Sequence, residues 1–337
     1  MGKSTEGVLL LGFGGPDSVE EIGPFMCELM GREPSEELLA RVRKRYLTIG
    51  GKSPLPEIAA EIASALETEL GKRGHAVPVR VGMRYWSPFI GQTLREMYDS
   101  GVRRVVTVSL SPFESAVSSG AYRDAVTEAL AGLPGMEAVE SRTYHDAPDF
   151  IGLLAGASAD ALERLGEDYR EHVLVVFTAH SLPLSDIAED GTYVVQLEAT
   201  ALATAIALKL GPATAFRGGE ALPGIEAFGD LSTGRPWLLA YQSKGQKPGE
   251  WLGPDVEEVI AAAAAQGLTA VAICPIGFVT DHMETLYDLD VVAAGAALDA
   301  GLESVRATVP NAHPDMIRVF AEAVASLLSP SGEGRPG

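Results

Sequence analysis

Two polar stretches in this chain each follow directly on a short apolar run. Both carry residue types suited to moving protons and holding metal ions. The first reads Val173-Leu174-Val175-Val176-Phe177-Thr178-Ala179-His180-Ser181-Leu182-Pro183. It has the length and β-branched content of a buried strand, with His180 at its end and a proline that forces a turn. The second begins with Val271-Ala272-Ile273-Cys274-Pro275 and continues Ile276-Gly277-Phe278-Val279-Thr280-Asp281-His282-Met283-Glu284-Thr285-Leu286-Tyr287-Asp288-Leu289-Asp290. Pro275 and Gly277 end the strand. Thr280 or Asp281 is placed to cap a helix, with Glu284 completing a capping box. Glu284 and Asp288 stand four apart and so share one helical face, with Asp290 on a neighbouring part. An imidazole and a carboxylate facing each other across a cleft can share proton transfer and bind a divalent metal. Acids on a first helical turn also complement the macrodipole without any further role. The two strand–loop junctions together are what point to a site, because open parallel sheets bind ligands at the carboxyl ends of their strands.

The elements that must position these residues alternate regularly. Strands are expected at Val8 to Leu11, Val77 to Val81, Val105 to Leu110 and Val139 to Tyr144, with helices between them. The pattern then repeats, with strands ending at His180, at Trp237 to Tyr241, at Val271 to Cys274 and at Val305 to Val309. A single helix is expected from Met283 to Leu298. Alternation of this kind implies an α/β fold of parallel sheets flanked by helices. The sequence divides into an N-terminal domain over 1–168 and a C-terminal domain over 169–313 that carries His180 and Glu284. A last helix over 314–328 is expected to pack back on the first domain. Residues 212–235 read as a surface insertion, and 329–337 as a disordered tail.

Composition limits the possibilities. The chain has 337 residues, 46% of them hydrophobic, and a formal net charge of −20. That charge argues against nucleic acid and anionic membrane surfaces as partners. No apolar run approaches the roughly 20 residues of a membrane span. Residues 1–6 lack the apolar stretch of a signal peptide, so a cytoplasmic protein is expected. There are two cysteines, Cys27 and Cys274. An iron–sulfur cluster takes about four thiolates, so none is expected. The glycine-rich turn Gly12-Phe13-Gly14-Gly15-Pro16 follows a strand but lacks dinucleotide spacing, and the acids Asp17, Glu20 and Glu21 disfavour phosphate.

The His180-Ser181-Leu182-Pro183 run, taken with the Gly277 to Asp290 run, resembles the signature of the ferrochelatases. Gly50-Gly51-Lys52-Ser53-Pro54-Leu55, Tyr241-Gln242-Ser243 and Trp251-Leu252-Gly253-Pro254-Asp255 agree with it. The resemblance implies two Rossmann-like domains with a cleft between them, and insertion of ferrous iron into a porphyrin, a lyase reaction of heme biosynthesis. It implies porphyrin and iron as substrates, no organic cofactor and a monomer. His180 and Glu284 become the catalytic pair, facing each other across the ring, with Asp288 an outer metal residue. Val292 stands where some relatives carry Glu. Phe13 is expected against one porphyrin face. Arg45, Tyr46 and Ser53, with Arg32 and Tyr122, are expected to contact the porphyrin and its propionates. The soluble Gram-positive type of the family uses coproporphyrin III, which is preferred here over protoporphyrin IX. A non-catalytic tetrapyrrole carrier is the rival, and the presence of both His180 and Glu284 argues against it. A two-lobed periplasmic metal receptor would need a signal peptide. A zinc deaminase would need a Pro-Cys-x-x-Cys partner for His282-x-Glu284, which this chain lacks. His282 itself reads as a structural hydrogen-bonder pointing away from the Glu284 face.

Overall fold

The computed structural model describes residues 5–169, 172–211, 234–245 and 247–329. The 212–235 insertion, apart from 234 and 235, and the tail beyond 329 lie outside the described residues. The chain forms two compact units. Among the described residues, unit 1 comprises 5–112, 117–144 and 311–329, and unit 2 comprises 113–116 and 145–310. The division falls at 144/145 rather than at 168/169. The cause is helix α6 (Pro148–Arg164), which packs on strands β7 (Ala270–Pro275) and β8 (Glu303–Arg306) and so joins the second unit.

Unit 1 is built on β1 (Glu6–Gly12), β2 (Val79–Met83), β3 (Arg104–Ser109) and β4 (Glu137–Glu140), all parallel in the order β2-β1-β3-β4. Every residue of β1 is buried, as expected for a central parallel strand covered on both faces. Leu9 and Leu11 point into a cluster with Ile90 and Leu94 of α4 (Ile90–Asp99), Val105, and Tyr122 and Val126 of α5 (Ala121–Leu130). Helix α10 (Pro314–Ala325) lies on α3 (Leu55–Lys72) and β3. Helices α1 (Ile22–Met30) and α2 (Glu36–Thr48) lie together after β1.

Unit 2 repeats the arrangement with β5 (Val173–His180), β6 (Trp237–Gln242), β7 and β8, parallel in the order β6-β5-β7-β8. Helices α7 (Thr192–Ala207) and α8 (Val256–Ala265) accompany it. The single helix expected from Met283 to Leu298 is instead two segments. A π-helix runs over Glu284–Ala293, and α9 (Ala294–Asp299) follows. Its wider i→i+5 turn stacks residues four and five apart over one another. Thr285, Leu289 and Ala293 form its buried face, and Leu289 packs with Val271 and Ile273 in the core. Burying Leu289 contributes about 2 kcal/mol. Glu284 and Asp288 are thereby turned away from the core.

Candidate active site

The expected capping box does not form at the start of the π-helix, which has no side-chain cap from its N-cap residue Met283. Thr285 does the work from inside the helix. Its hydroxyl accepts the His282 N–H at 3.0 Å and lies 3.0 Å from Asp281 Oδ1, to which it donates. This turn sets Glu284 at the mouth of the helix.

Glu284 meets His180, the last residue of β5. His180 Nδ1 lies 2.9 Å from Glu284 Oε2. At that distance no macrocycle fits between them, so the expectation that they face each other across a porphyrin ring is corrected. The two groups are joined to each other, each about a third exposed. Burial raises the carboxyl's affinity for a proton, but the charge and hydrogen bond of His180, with help from His282, hold Glu284 far below the usual carboxylate range. Burial pulls His180 down, but Glu284 and, more weakly, Asp288 outweigh it and raise its affinity for a proton. An ionised Glu284 accepts, so Nδ1 carries the hydrogen and Nε2 is the ring nitrogen left to take a proton or a metal ion.

His282 differs from expectation. Its Nδ1 lies 3.1 Å from the Thr280 carbonyl, a structural bond, yet its Nε2 lies 3.7 Å from the same Glu284 oxygen that binds His180. The ring packs on Phe278 with centroids 4.7 Å apart. Glu284 thus stands between two imidazoles.

The neighbouring acids separate. Asp288 Oδ2 accepts a hydrogen bond from Ser243 Oγ at 2.5 Å. Asp290 does not continue an acidic line with it. Arg306, at the end of β8, takes Asp290 in a two-point contact at 2.5 and 3.0 Å and lies 3.4 Å from Asp281. Among the described residues no group of three or more His, Cys, Asp and Glu side chains is disposed to hold a metal ion.

Much of the remaining motif buttresses His180. Tyr193 of α7 donates its hydroxyl to the His180 carbonyl at 2.9 Å. Ser181 Oγ donates to the Leu252 carbonyl at 2.8 Å, and Pro183 bridges to Trp251. The Trp251 to Asp255 run therefore holds the turn after His180. Asp255 then caps α8 through a capping box with Glu258. Nothing in local spacing signals Tyr193, Thr285 or Arg306, because their partners are distant or depend on the π-turn.

The other expected residues lie in unit 1. Phe13 follows β1, is 37% exposed and packs on Tyr85 with centroids 4.7 Å apart. The glycines around it serve close packing. Gly14 has φ +102, and a Cβ there would meet Trp86 N at 2.9 Å, while one on Gly15 would meet Ser53 at 2.6 Å. Ser53 is buried and donates its N–H to the Pro16 carbonyl at 2.9 Å. Arg32 is exposed just past the left-handed Gly31 that ends α1, and Arg45 is half-buried in the last turn of α2. Tyr46 is buried beside it, and Tyr122 is buried in the unit 1 core.

The ferrochelatase family model matches residues 5–328. The chain belongs to the ferrochelatase family. Its relatives include the coproporphyrin III ferrochelatase of Mycolicibacterium smegmatis, 34% identical, with 99% of this chain and 92% of that protein covered. The ferrochelatase of Thermus thermophilus is 35% identical, covering 94% of this chain and 98% of that protein. Among solved structures, SirB from Bacillus subtilis with Fe3+ superimposes with a TM-score of 0.54 at 11% identity, covering 95% of this chain and 94% of that one. CbiX, the terminal enzyme for biosynthesis of siroheme in denitrifying bacteria, gives 0.52 at 12% identity, covering 96% of this chain and all of that one. At these identities the structures share the fold of two helix-flanked parallel sheets. Among the described residues no helix is long and apolar enough to cross a membrane.

Proposed function

We propose that this enzyme inserts ferrous iron into coproporphyrin III to give coproheme, with two pyrrole protons released for each iron taken up. The observation that carries the reading is the 2.9 Å contact between His180 Nδ1 and Glu284 Oε2 in a chain of this family. Coproporphyrin is preferred because close relatives bear that substrate in their names.

The difficulty of the reaction is that the metal cannot enter while the inner nitrogens hold their protons. His180 Nε2 takes the two pyrrole protons one after the other and passes each to solvent, and the Glu284 carboxylate balances the imidazolium that forms each time. Once the proton is passed on, the same Nε2 lone pair is a suitable ligand for the ferrous ion. Asp288, on the same face as Glu284, acts farther out on the arriving metal. In unit 1, Arg32 and Arg45 take porphyrin carboxylates, since guanidinium forms paired bonds to them. Tyr46, Ser53 and Tyr122 shape that site, and Phe13 lies on a porphyrin face. The reaction needs no organic cofactor and no iron–sulfur cluster. Cys274, with its thiol pushed up to about 12 by burial, is unsuited to ligation. The protein works as a monomer in the cytoplasm.

Anaerobic incubation with ferrous iron and either coproporphyrin III or protoporphyrin IX, followed by absorption, tests the reading. Faster metallation of coproporphyrin is expected. Faster metallation of protoporphyrin overturns the substrate. Tight binding without metallation of either makes the protein a tetrapyrrole carrier.

A further inference from the structure

The π-helix packs on a sheet whose edge strands, in the order β6-β5-β7-β8, are β6 and β8. Each edge reaches the turn that carries Glu284. From β6, Gln242 Nε2 donates to the backbone carbonyl of Glu284 at 3.2 Å. From β8 the reach is made by Arg306, and its contacts exceed what one ion pair needs. Its Nε and Nη2 take the two Asp290 oxygens at 2.5 and 3.0 Å, Nη2 also lies 3.4 Å from Asp281 Oδ1, and Nη1 donates to the Ala307 carbonyl at 3.3 Å. Every guanidinium nitrogen is engaged, and the side chain is 16% exposed. The main chain beneath it is fixed as well. Arg164 Nη2 donates to the Arg306 carbonyl at 2.6 Å, and the Ala307 N–H bonds the carbonyl of buried Ile273 at 2.8 Å.

Arg306 thus joins a residue just before the π-helix, Asp281, to one inside it, Asp290. A lysine ammonium would serve one acid or the other; spanning both takes the planar fork. The Asp281 arm carries further. The oxygen that Arg306 approaches, Oδ1, is the one that accepts the Thr285 hydroxyl at 3.0 Å, and the same hydroxyl accepts the His282 N–H at 3.0 Å. Glu284 lies between His282 and Thr285 in the chain. Both are therefore tied, through one carboxylate oxygen, to one firmly mounted guanidinium.

We propose that Arg306 is a positioning residue that holds the Asp281–Thr285 turn and so keeps Glu284 aimed at His180. It touches neither member of that pair. Its effect on rate rests on the proton-transfer reading of His180 and Glu284, whereas the geometry it controls exists in the protein without substrate. Arg306→Met is the discriminating variant, because it keeps the aliphatic stem and removes every donor. Arg306→Lys keeps the charge without the fork. Thr285→Val breaks the link at its second step, and Thr285→Ser keeps the hydroxyl.

The test is NMR of the porphyrin-free protein with isotope-labelled histidines, following the Nδ1–H that His180 gives to Glu284; His180→Gln identifies the signal. The native protein is expected to hold this proton, and Arg306→Met and Thr285→Val to exchange it with water about tenfold faster or more. Thr285→Ser is expected to behave as native, and Arg306→Lys to fall between native and Arg306→Met. In the metallation assay Arg306→Met should lower kcat about ten- to a hundredfold and leave KM for porphyrin within about twofold. Arg306→Met combined with Thr285→Val should lose no more than the worse single variant, because both cut one link. Native exchange in Arg306→Met overturns the inference, as do additive losses or a native protein with no protected Nδ1–H. Should Arg306→Met fail to fold, Arg306→Lys decides, and native exchange there overturns it equally. A proton whose exchange depends on Arg306, in a protein that metallates no porphyrin, leaves the inference standing and overturns only the proposed reaction.

Discussion

The two units are the same construction put to different uses. Each sheet places its first strand second in the order, beside the strand that follows it and the one after that. The ends of the sheets match residue by residue. Gly12 pairs with Met83, whose N–H bonds the Pro88 carbonyl; Ala179 pairs with Tyr241, whose N–H bonds the Pro254 carbonyl. The next residue is Phe13 in unit 1 and His180 in unit 2. The helix after the third strand of each sheet opens with a π-turn, Ala116–Gly120 before α5 and Glu284–Ala293 before α9. In the first it carries Ser118 and Ser119; in the second, Glu284 and Asp288. One scaffold offers the same two positions twice, and the titrating groups occupy them only in unit 2.

That contrast can be attacked experimentally, beginning where the effect is largest. His180→Ala should lower kcat/KM for metallation by about a hundred- to ten-thousandfold while porphyrin still binds, measured by absorption and fluorescence quenching. Glu284→Gln keeps the shape but withdraws the carboxylate's charge, and a loss of about a hundredfold is expected in the same assay. The matching position in unit 1 should behave differently. Phe13→Leu should raise KM for porphyrin about two- to tenfold and leave kcat within about twofold, because it alters binding and no proton transfer. A kcat collapse there would erase the distinction between the units.

Two smaller effects sharpen it. In unit 1, Glu6 accepts Arg104 Nη1 at 2.6 Å and both the N–H and hydroxyl of Ser329 at 2.9 and 3.1 Å. Glu6→Gln should cost about 1–3 kcal/mol in urea unfolding with turnover unchanged. The thiols should also separate. Cys274, 1% exposed, should resist alkylation in the native protein, whereas the partly exposed Cys27 reacts, giving one labelled thiol by mass spectrometry and two in denaturant.

Much of this was legible in the sequence, and the part that was not has a common cause. Apolar runs such as Val173 to Ala179 announce buried strands because parallel strands covered on both faces need no polar side. His180 and Glu284 stand out because each ends or follows such a run. What periodicity cannot convey is which distant segment lies alongside. The 62-position separation of His180 and Gln242 hides their pairing, so the grip of Gln242 on Glu284 is invisible along the chain. The π-helix is hidden for another reason. Its residues are ordinary helix formers, and the pattern Thr285, Leu289, Ala293 reads equally well as an α-helical face. What draws Asp290 away from Glu284 and Asp288 is Arg306, sixteen residues away on β8, a partner that no local pattern announces. Contacts made by folding at long range decided the finer geometry; local pattern decided the elements.

The wide turn over Glu284–Ala293 has a genetic corollary. A π-helix carries more residues per turn than an α-helix, so such a segment holds slack that an ordinary helix lacks. Losing the codon for Tyr287 would let the chain tighten into α-helical register, with α9 and β8 downstream still able to dock. Asp288 would swing around the axis relative to Glu284. The lesion would yield a well-folded but idle product, so a screen for expression alone would pass it and a screen for pigment colour would not.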